Sequence, residues 1–117
     1  MQDYMLLYKG GDKDWMTKST PEEMAATMEK WGAWMGMLQE KNQLVSGGSP
    51  LDYSGKNLTS DGVITDVSQS EIKELVTGYS IVRAEDMSKA IEIAKACPIF
   101  LYPECTVDIR EVSNPPG

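Results

Sequence analysis

Histidine is absent from all 117 residues. The chain therefore lacks the commonest general base near neutral pH and the commonest metal ligand. Zinc chemistry that joins thiolates to imidazoles is excluded, and two cysteines, Cys97 and Cys105, fall short of an all-thiolate structural site. Two cysteines are also too few for the disulfide framework of a small secreted domain. With no Cys-x-x-Cys spacing they read as reduced, partly buried thiols. No apolar run approaches a membrane span. The first run, Tyr4 to Tyr8, is too short for a signal peptide and has no basic lead-in. Basic residues are scarce as well: 11 against 18 acidic ones leave a net charge of −7. That sign opposes phosphate backbones and anionic lipid, whose affinity depends on Lys and Arg. These absences predict a cytoplasmic protein with no nucleic-acid partner, no membrane partner, no metal and no cofactor.

What is present is enough apolar material, 41% of residues, for one modest core. The expectation is a single domain over residues 1–113 and a loose tail over 114–117. Tyr4 to Tyr8 reads as a first strand, apolar on both alternating faces. A loop carrying Trp15 and Met16 follows and is expected to fold back on the core. Ser19 or Thr20 can then cap a helix, with Pro21 at its first position and Glu22 and Glu23 at the positive end of its dipole. Met24, Met28, Trp31, Met35 and Leu38 recur at helical spacing and predict a stripe facing a sheet, widened by Trp34 and Met37. Gly32 and Gly36 lie one turn apart, as close approach of a neighbouring element would require. Leu44 to Ser46 is a short strand. Lys56 to Ser60 and Val63 to Asp66 flank Asp61-Gly62, the signal of a tight two-residue hairpin turn. Ser68 to Val76 suits a short helical turn, and Gly78 to Arg83 a strand with two apolar faces. Asp86 can cap a second main helix with Met87, Ala90, Ile91 and Ala94 as its buried stripe, and Pro98 stops it. Thr106 to Val112 is the last strand.

Without the hairpin insert this order is βαββαβ, the α+β ferredoxin-like arrangement. Right-handed crossovers put both helices on one sheet face and leave the other bare. A large exposed apolar face is rare in a monomer. Two chains covering each other's sheets in a closed two-fold pair resolve the conflict, so a homodimer is expected.

Several segments, in order, resemble the YCII-related family, in particular its DGPF-type members. Tyr4 to Tyr8 is similar to the family's opening strand, and Ser19-Thr20-Pro21-Glu22-Glu23-Met24 to its helix start. Lys30-Trp31-Gly32-Ala33-Trp34 resembles its helix centre, and Gly47-Gly48-Ser49-Pro50-Leu51 its glycine turn. Lys73 to Tyr79, Ala96-Cys97-Pro98 and Val107 to Val112 resemble the later segments. The resemblance implies a ferredoxin-like fold and a dimeric α/β barrel. It departs at the Asp-Gly-Pro-Phe signature, which falls on Asp66-Val67-Ser68-Gln69 and keeps only the aspartate. Some members carry a His–Asp pair linked to catalysis, and this chain has no histidine to supply it. Related domains occur beside sigma factors, which implies a regulatory partner, although the acidic charge opposes direct DNA contact.

The best chemical constellation in the sequence is Asp66, Glu71 and Glu74, with Lys73 between the two glutamates. Glu71 and Glu74 share a face of a helical turn, and paired carboxylates raise one another's pKa toward that of a general base. Tyr8 and Tyr79 sit on neighbouring core strands, and a phenol donates to a developing oxyanion. The competing interpretation is a solvated acidic face and packed tyrosines, and it carries more weight. Trp31, Met35 and Ser46 complete the expected ligand-binding set with Tyr8 and Lys73. Two functional readings follow: a small cytoplasmic dimer binding a small molecule or protein partner between sheet and helices, or a cofactor-independent lyase or isomerase. The second would use Asp66, Glu71 or Glu74 as base and Tyr8 or Tyr79 as oxyanion donor.

Overall fold

A computed structural model describes residues 1–67 and 69–114, with the side chains of 69–71 excepted. The elements run β1 (Gln2–Gly10), α1 (Trp15–Lys18), α2 (Pro21–Glu40), β2 (Leu44–Ser46), β3 (Lys56–Leu58) and β4 (Ile64–Asp66). A 3₁₀ turn (Gln69–Glu74), β5 (Val76–Ala84), α3 (Met87–Lys95), a second 3₁₀ turn (Pro98–Leu101) and β6 (Cys105–Glu111) follow. The main sheet is antiparallel in the order β2-β5-β1-β6. With β3–β4 set aside as a separate hairpin, that is the strand order of the α+β ferredoxin-like fold.

Local chemistry fixes the ends of α2. The Thr20 side chain accepts from the Glu23 backbone N–H at 3.1 Å, and the Glu23 carboxylate accepts from the Thr20 N–H at 3.4 Å, a complete capping box with Pro21 behind it. At the far end Gln43 N–H reaches Leu38 O at 2.8 Å and Asn42 N–H reaches Gln39 O at 3.0 Å. Asn42, at φ 57°, occupies the left-handed position of this Schellman motif.

Alternate residues of β1, Tyr4, Leu6 and Tyr8, are buried with Val82 of β5 and with Trp34, Leu38, Ala90 and Ala94 of the two long helices. Val107 and Ile109 of β6 pair with Tyr8 and Leu6 and join the same core. Met5, Leu7 and Ile81 alternate with these, point to the opposite face and are half-buried. Ion pairs frame that face: Arg83 with Asp3 at 3.0 Å, and Lys9 with both Glu74 and Asp108 at 3.1 Å.

Several sequence expectations are corrected. First, the buried positions of α2 are Trp34 and Leu38, whereas Met28 is 64% exposed; the stripe is turned by about one residue toward Trp34. Second, in α3 the small Ala90 and Ala94 are buried and half-buried Ile93 packs beside them, while Met87 and Ile91 lie at the exposed rim. The narrow alanine face lets the helix sit close to the sheet, and larger side chains fit only at its edges. Third, a Cβ at Gly32 or Gly36 would meet nothing within 4 Å, so close approach within one chain does not explain these glycines. Fourth, the β3–β4 turn is longer than two residues. Thr59 N–H donates to Val63 O at 2.9 Å and Gly62 N–H to Thr59 O at 3.0 Å, closing a three-residue loop with Gly62 at φ 87°. Met16 is also exposed, although Trp15 does turn inward. Ser68 and the tail residues Pro115, Pro116 and Gly117 lie outside the described residues.

Candidate functional site

The two glycine-rich turns and the methionine side of α2 enclose a half-open cavity of about 460 Å³. Its size falls within the range of small-molecule sites. Gly10-Gly11-Asp12 leaves β1 on one side, and Gly47-Gly48-Ser49-Pro50 leaves β2 on another. Met24, Met28, Trp31 and Met35 line the cavity from the helix. Met24, Met28 and Met35, off the buried centre of α2, thus line a void. The 3₁₀ turn after Pro98 supplies Ile99 and brings Tyr102 to the wall.

The walls are held by directed contacts. Met35 meets Gly47, where a Cβ would stand 3.1 Å from its Sδ. The Gly48 N–H donates to Ser46 Oγ at 3.1 Å, and Ser80 Oγ donates to Gly47 O at 2.9 Å, pinning the turn to the core. Trp31 Nε1–H donates to Tyr102 Oη at 3.1 Å, and Trp15 packs edge-on against the Tyr102 ring at 4.8 Å. Thr77, the extra residue of a bulge opposite Tyr8 and Lys9, donates to Gly10 O at 3.1 Å.

Beneath the cavity lies a buried chain of hydroxyls. The Cys97 thiol donates to Tyr8 Oη at 3.5 Å, Tyr8 donates to Ser80 Oγ at 2.8 Å, and Ser80 ends the chain on Gly47 O. Burial pushes the Tyr8 phenol well above its ordinary value, and the nearby Cys97 adds to the rise. Burial also pushes the Cys97 thiol up. Tyr8 therefore stays neutral, with its proton committed to Ser80. Trp31 packs edge-on to its ring at 5.7 Å.

Of the residues singled out in the sequence, Tyr8, Trp31, Met35 and Tyr79 come together at this cavity. Ser46 stands just behind it as the acceptor that holds the glycine turn. The carboxylates go elsewhere. Asp66 sits at the end of the β3–β4 hairpin with its side chain 79% exposed, paired with Lys56. Glu74 is 75% exposed and paired with Lys9. Lys73 is exposed on the 3₁₀ turn. The side chain of Glu71 lies outside the described residues.

Sequence reasoning passed over Asp12, Tyr53, Tyr102 and the wall position of Cys105. The available signal was aromatic residues set in glycine- and proline-rich connections, where a ring with no periodic partner folds onto a neighbouring surface. Asp12 accepts from Lys18 Nζ at 2.7 Å and from the Asp14 N–H at 2.9 Å, and the lysine contact holds its carboxyl below the usual range. Burial raises the Tyr53 phenol, with Cys105, Asp12 and Tyr102 adding to the effect. Among the described residues no group of three or more Cys, Asp or Glu side chains is placed to hold a metal ion. No helix among them is long and apolar enough to cross a membrane.

No curated protein matches the chain. The model of the YCII-related domain matches residues 3–113. That match spans the sheet, both long helices and every described residue of the cavity wall, and the chain belongs to the YCII-related domain family.

Proposed function

We propose that this protein is a cytoplasmic, homodimeric domain that binds a small molecule in the cavity between the glycine turns and α2. The observation that carries the reading is the cavity itself: about 460 Å³, walled by aromatic rings, thioethers and peptide planes, with few polar groups. Concave, mostly apolar pockets with a few convergent polar atoms are the ordinary form of a ligand site. Methionine side chains adapt their shape to what they contact.

The lyase or isomerase reading finds less support. It needs a carboxylate base aimed into the cavity, and Asp66 and Glu74 are exposed and engaged with lysines outside it. Asp12 does line the wall, but its contact with Lys18 favours the carboxylate form and makes it a weak base. Of the two expected oxyanion donors, Tyr8 is already spent on Ser80, and Tyr79 lines the cavity with no carboxylate base from the expected set beside it.

Pairing of two chains is supported by the half-buried Met5, Leu7 and Ile81 on the second sheet face and by the exposed Leu58, Val63 and Ile64 of the hairpin. A two-stranded hairpin is marginal alone and gains from a surface to rest on. Sedimentation at micromolar concentration should give twice the mass of one chain.

The binding reading is tested by a thermal-shift fragment screen on the wild-type protein and on Gly47→Leu, whose side chain would grow toward Met35 and fill the cavity. Fragments that raise the melting temperature of the wild type should leave Gly47→Leu unmoved. Equal shifts in both proteins would refute the reading.

A further inference from the structure

We propose that the cavity selects flat, uncharged aromatic molecules carrying a carbonyl-type oxygen at one edge, an inference that rests on the cavity being a ligand site. The first observation is its concentration of rings. Four of the five tyrosines (Tyr8, Tyr53, Tyr79 and Tyr102) and two of the three tryptophans (Trp15 and Trp31) line it. Half of the eight methionines line it too. Aromatic faces and edges and polarizable sulfur favour another ring over a saturated chain of equal area. The glycine turns add bare peptide planes, against which a flat molecule lies without meeting a Cβ.

The second observation is what the polar atoms have left to offer. Tyr8 gives its proton to Ser80. Tyr102 Oη accepts from Trp31 Nε1–H, which leaves its own proton free to point at a ligand. Tyr53 Oη has no hydrogen-bond partner among the described residues. It lies beside Gly11, where a Cβ would stand 2.9 Å from the hydroxyl and 3.3 Å from Cys105 Sγ. Burial keeps the Tyr53 phenol protonated. Each hydroxyl keeps a free proton as well as acceptor capacity, and the complement of the two protons is an acceptor oxygen.

The third observation concerns charge. The carboxylate in the wall, Asp12, is engaged by Lys18 and by a backbone N–H. Paired in this way it repels an anion only weakly, and Lys13, also in the wall, is engaged in an interaction of its own; the net charge of −7 is what disfavours an anionic ligand at longer range. With Lys18 already satisfying Asp12, a cationic ligand gains little. An uncharged molecule pays neither cost.

The test uses 2-acetonaphthone, a flat neutral ketone, against two controls: its decalin counterpart, with the same carbonyl on a saturated frame, and 2-naphthoate, with the same ring and a negative charge. Affinities are read by quenching of tryptophan fluorescence and by calorimetry on the full chain. 2-Acetonaphthone should bind at least about tenfold more tightly than either control. Tyr53→Phe should weaken it roughly two- to tenfold, the worth of one hydrogen bond, and leave naphthalene binding unchanged. The Tyr53 hydroxyl makes no internal bond, so this variant should keep the wild-type melting temperature. Tyr102→Phe should act in the same direction.

Equal affinity for the saturated ketone, preference for 2-naphthoate, or no effect of either tyrosine variant would overturn the ligand class. So would failure of all three probes to bind, while fragments blocked by Gly47→Leu would keep the cavity reading alive. If 2-acetonaphthone binds Gly47→Leu as well as it binds the wild type, the cavity reading falls and the ligand class falls with it.

Discussion

Gly48→Ala offers a sharp test of how the cavity wall is built. Gly48 has φ 72°, and a Cβ there would stand 1.7 Å from the Tyr79 carbonyl oxygen and 2.6 Å from its carbon. A carbon normally approaches a carbonyl oxygen to roughly 3.3 Å, so the two backbones must part by about 1.6 Å. The left-handed conformation alone costs an alanine about 1–2 kcal/mol. Parting also pulls on two neighbouring bonds, Leu51 N–H to Thr77 O at 2.9 Å and Ser80 Oγ to Gly47 O at 2.9 Å. At about 1 kcal/mol each, the total reaches roughly 3–4 kcal/mol. For a chain of this length about 1 kcal/mol moves the melting temperature by about 4 °C, so a drop of about 12–16 °C is expected. Gly62→Ala is the internal control. Gly62 has a similar φ of 87° but open space around it, so only the conformational cost applies. That variant should fall by about 4–8 °C. Calorimetry on both proteins separates the two contributions. Drops that agree to within about 3 °C would refute the argument, because the clash with Tyr79 would then cost nothing measurable.

Other perturbations probe the buried hydroxyl chain and the helices. Ser80→Ala orphans the Tyr8 hydroxyl and should cost about 1–3 kcal/mol in urea unfolding; adding Tyr8→Phe should recover part of that loss, so the double variant is less destabilised than the sum of the singles. Stability should fall on the alkaline side. The free thiol and phenol ionise near 9.0 and 10.0, whereas native Cys97 and Tyr8 hold their protons to higher pH. The native state then binds more protons than the unfolded state, so the stabilisation is complete below pH 9 and is lost as pH rises, by up to about 1.4 kcal/mol per pH unit per group. Tyr8→Phe should flatten the part of that slope that begins near pH 10, and an unchanged slope would count against the assignment. Gly32→Ala, in open space on α2, should raise stability by up to about 1 kcal/mol through helix propensity alone; a loss would mean that something presses on that surface.

The ends of elements were legible in the sequence because their chemistry is local. The Thr20 cap (one of two candidates, with Ser19), Pro21 at the first position, the Asp86 cap and the Pro98 stop each act within four residues of chain, whereas the reciprocal Glu23 bond of the capping box was found only in the structure. The βαββαβ order followed from them and from the two-faced apolar strands. What was not legible depended on distance in space. Periodicity places the apolar side of α2 only to within about one residue, or about 100° of rotation. It cannot tell whether a methionine meets a sheet or a void. Trp34 therefore emerged as the buried centre, and Met24, Met28 and Met35 as cavity wall. Asp66, Glu71 and Glu74 are near in sequence and drew attention as a cluster. Yet Asp66 lies on a hairpin and Glu74 on a 3₁₀ turn, and each carboxylate pairs with a lysine of another strand, Lys56 and Lys9. Tyr53 and Tyr102 belong to connections with no period to read, and only the fold shows them on one cavity.

The central claim, that the space between the glycine turns and α2 receives a small molecule, is tested most directly by methyl-labelled methionine NMR. Met16, Met24, Met28 and Met35 line the cavity, and Met1, Met5, Met37 and Met87 lie away from it. Titration with each fragment that raises the melting temperature should move the first four methyl signals and leave the other four in place. Shifts confined to Met1, Met5, Met37 or Met87 would contradict the account.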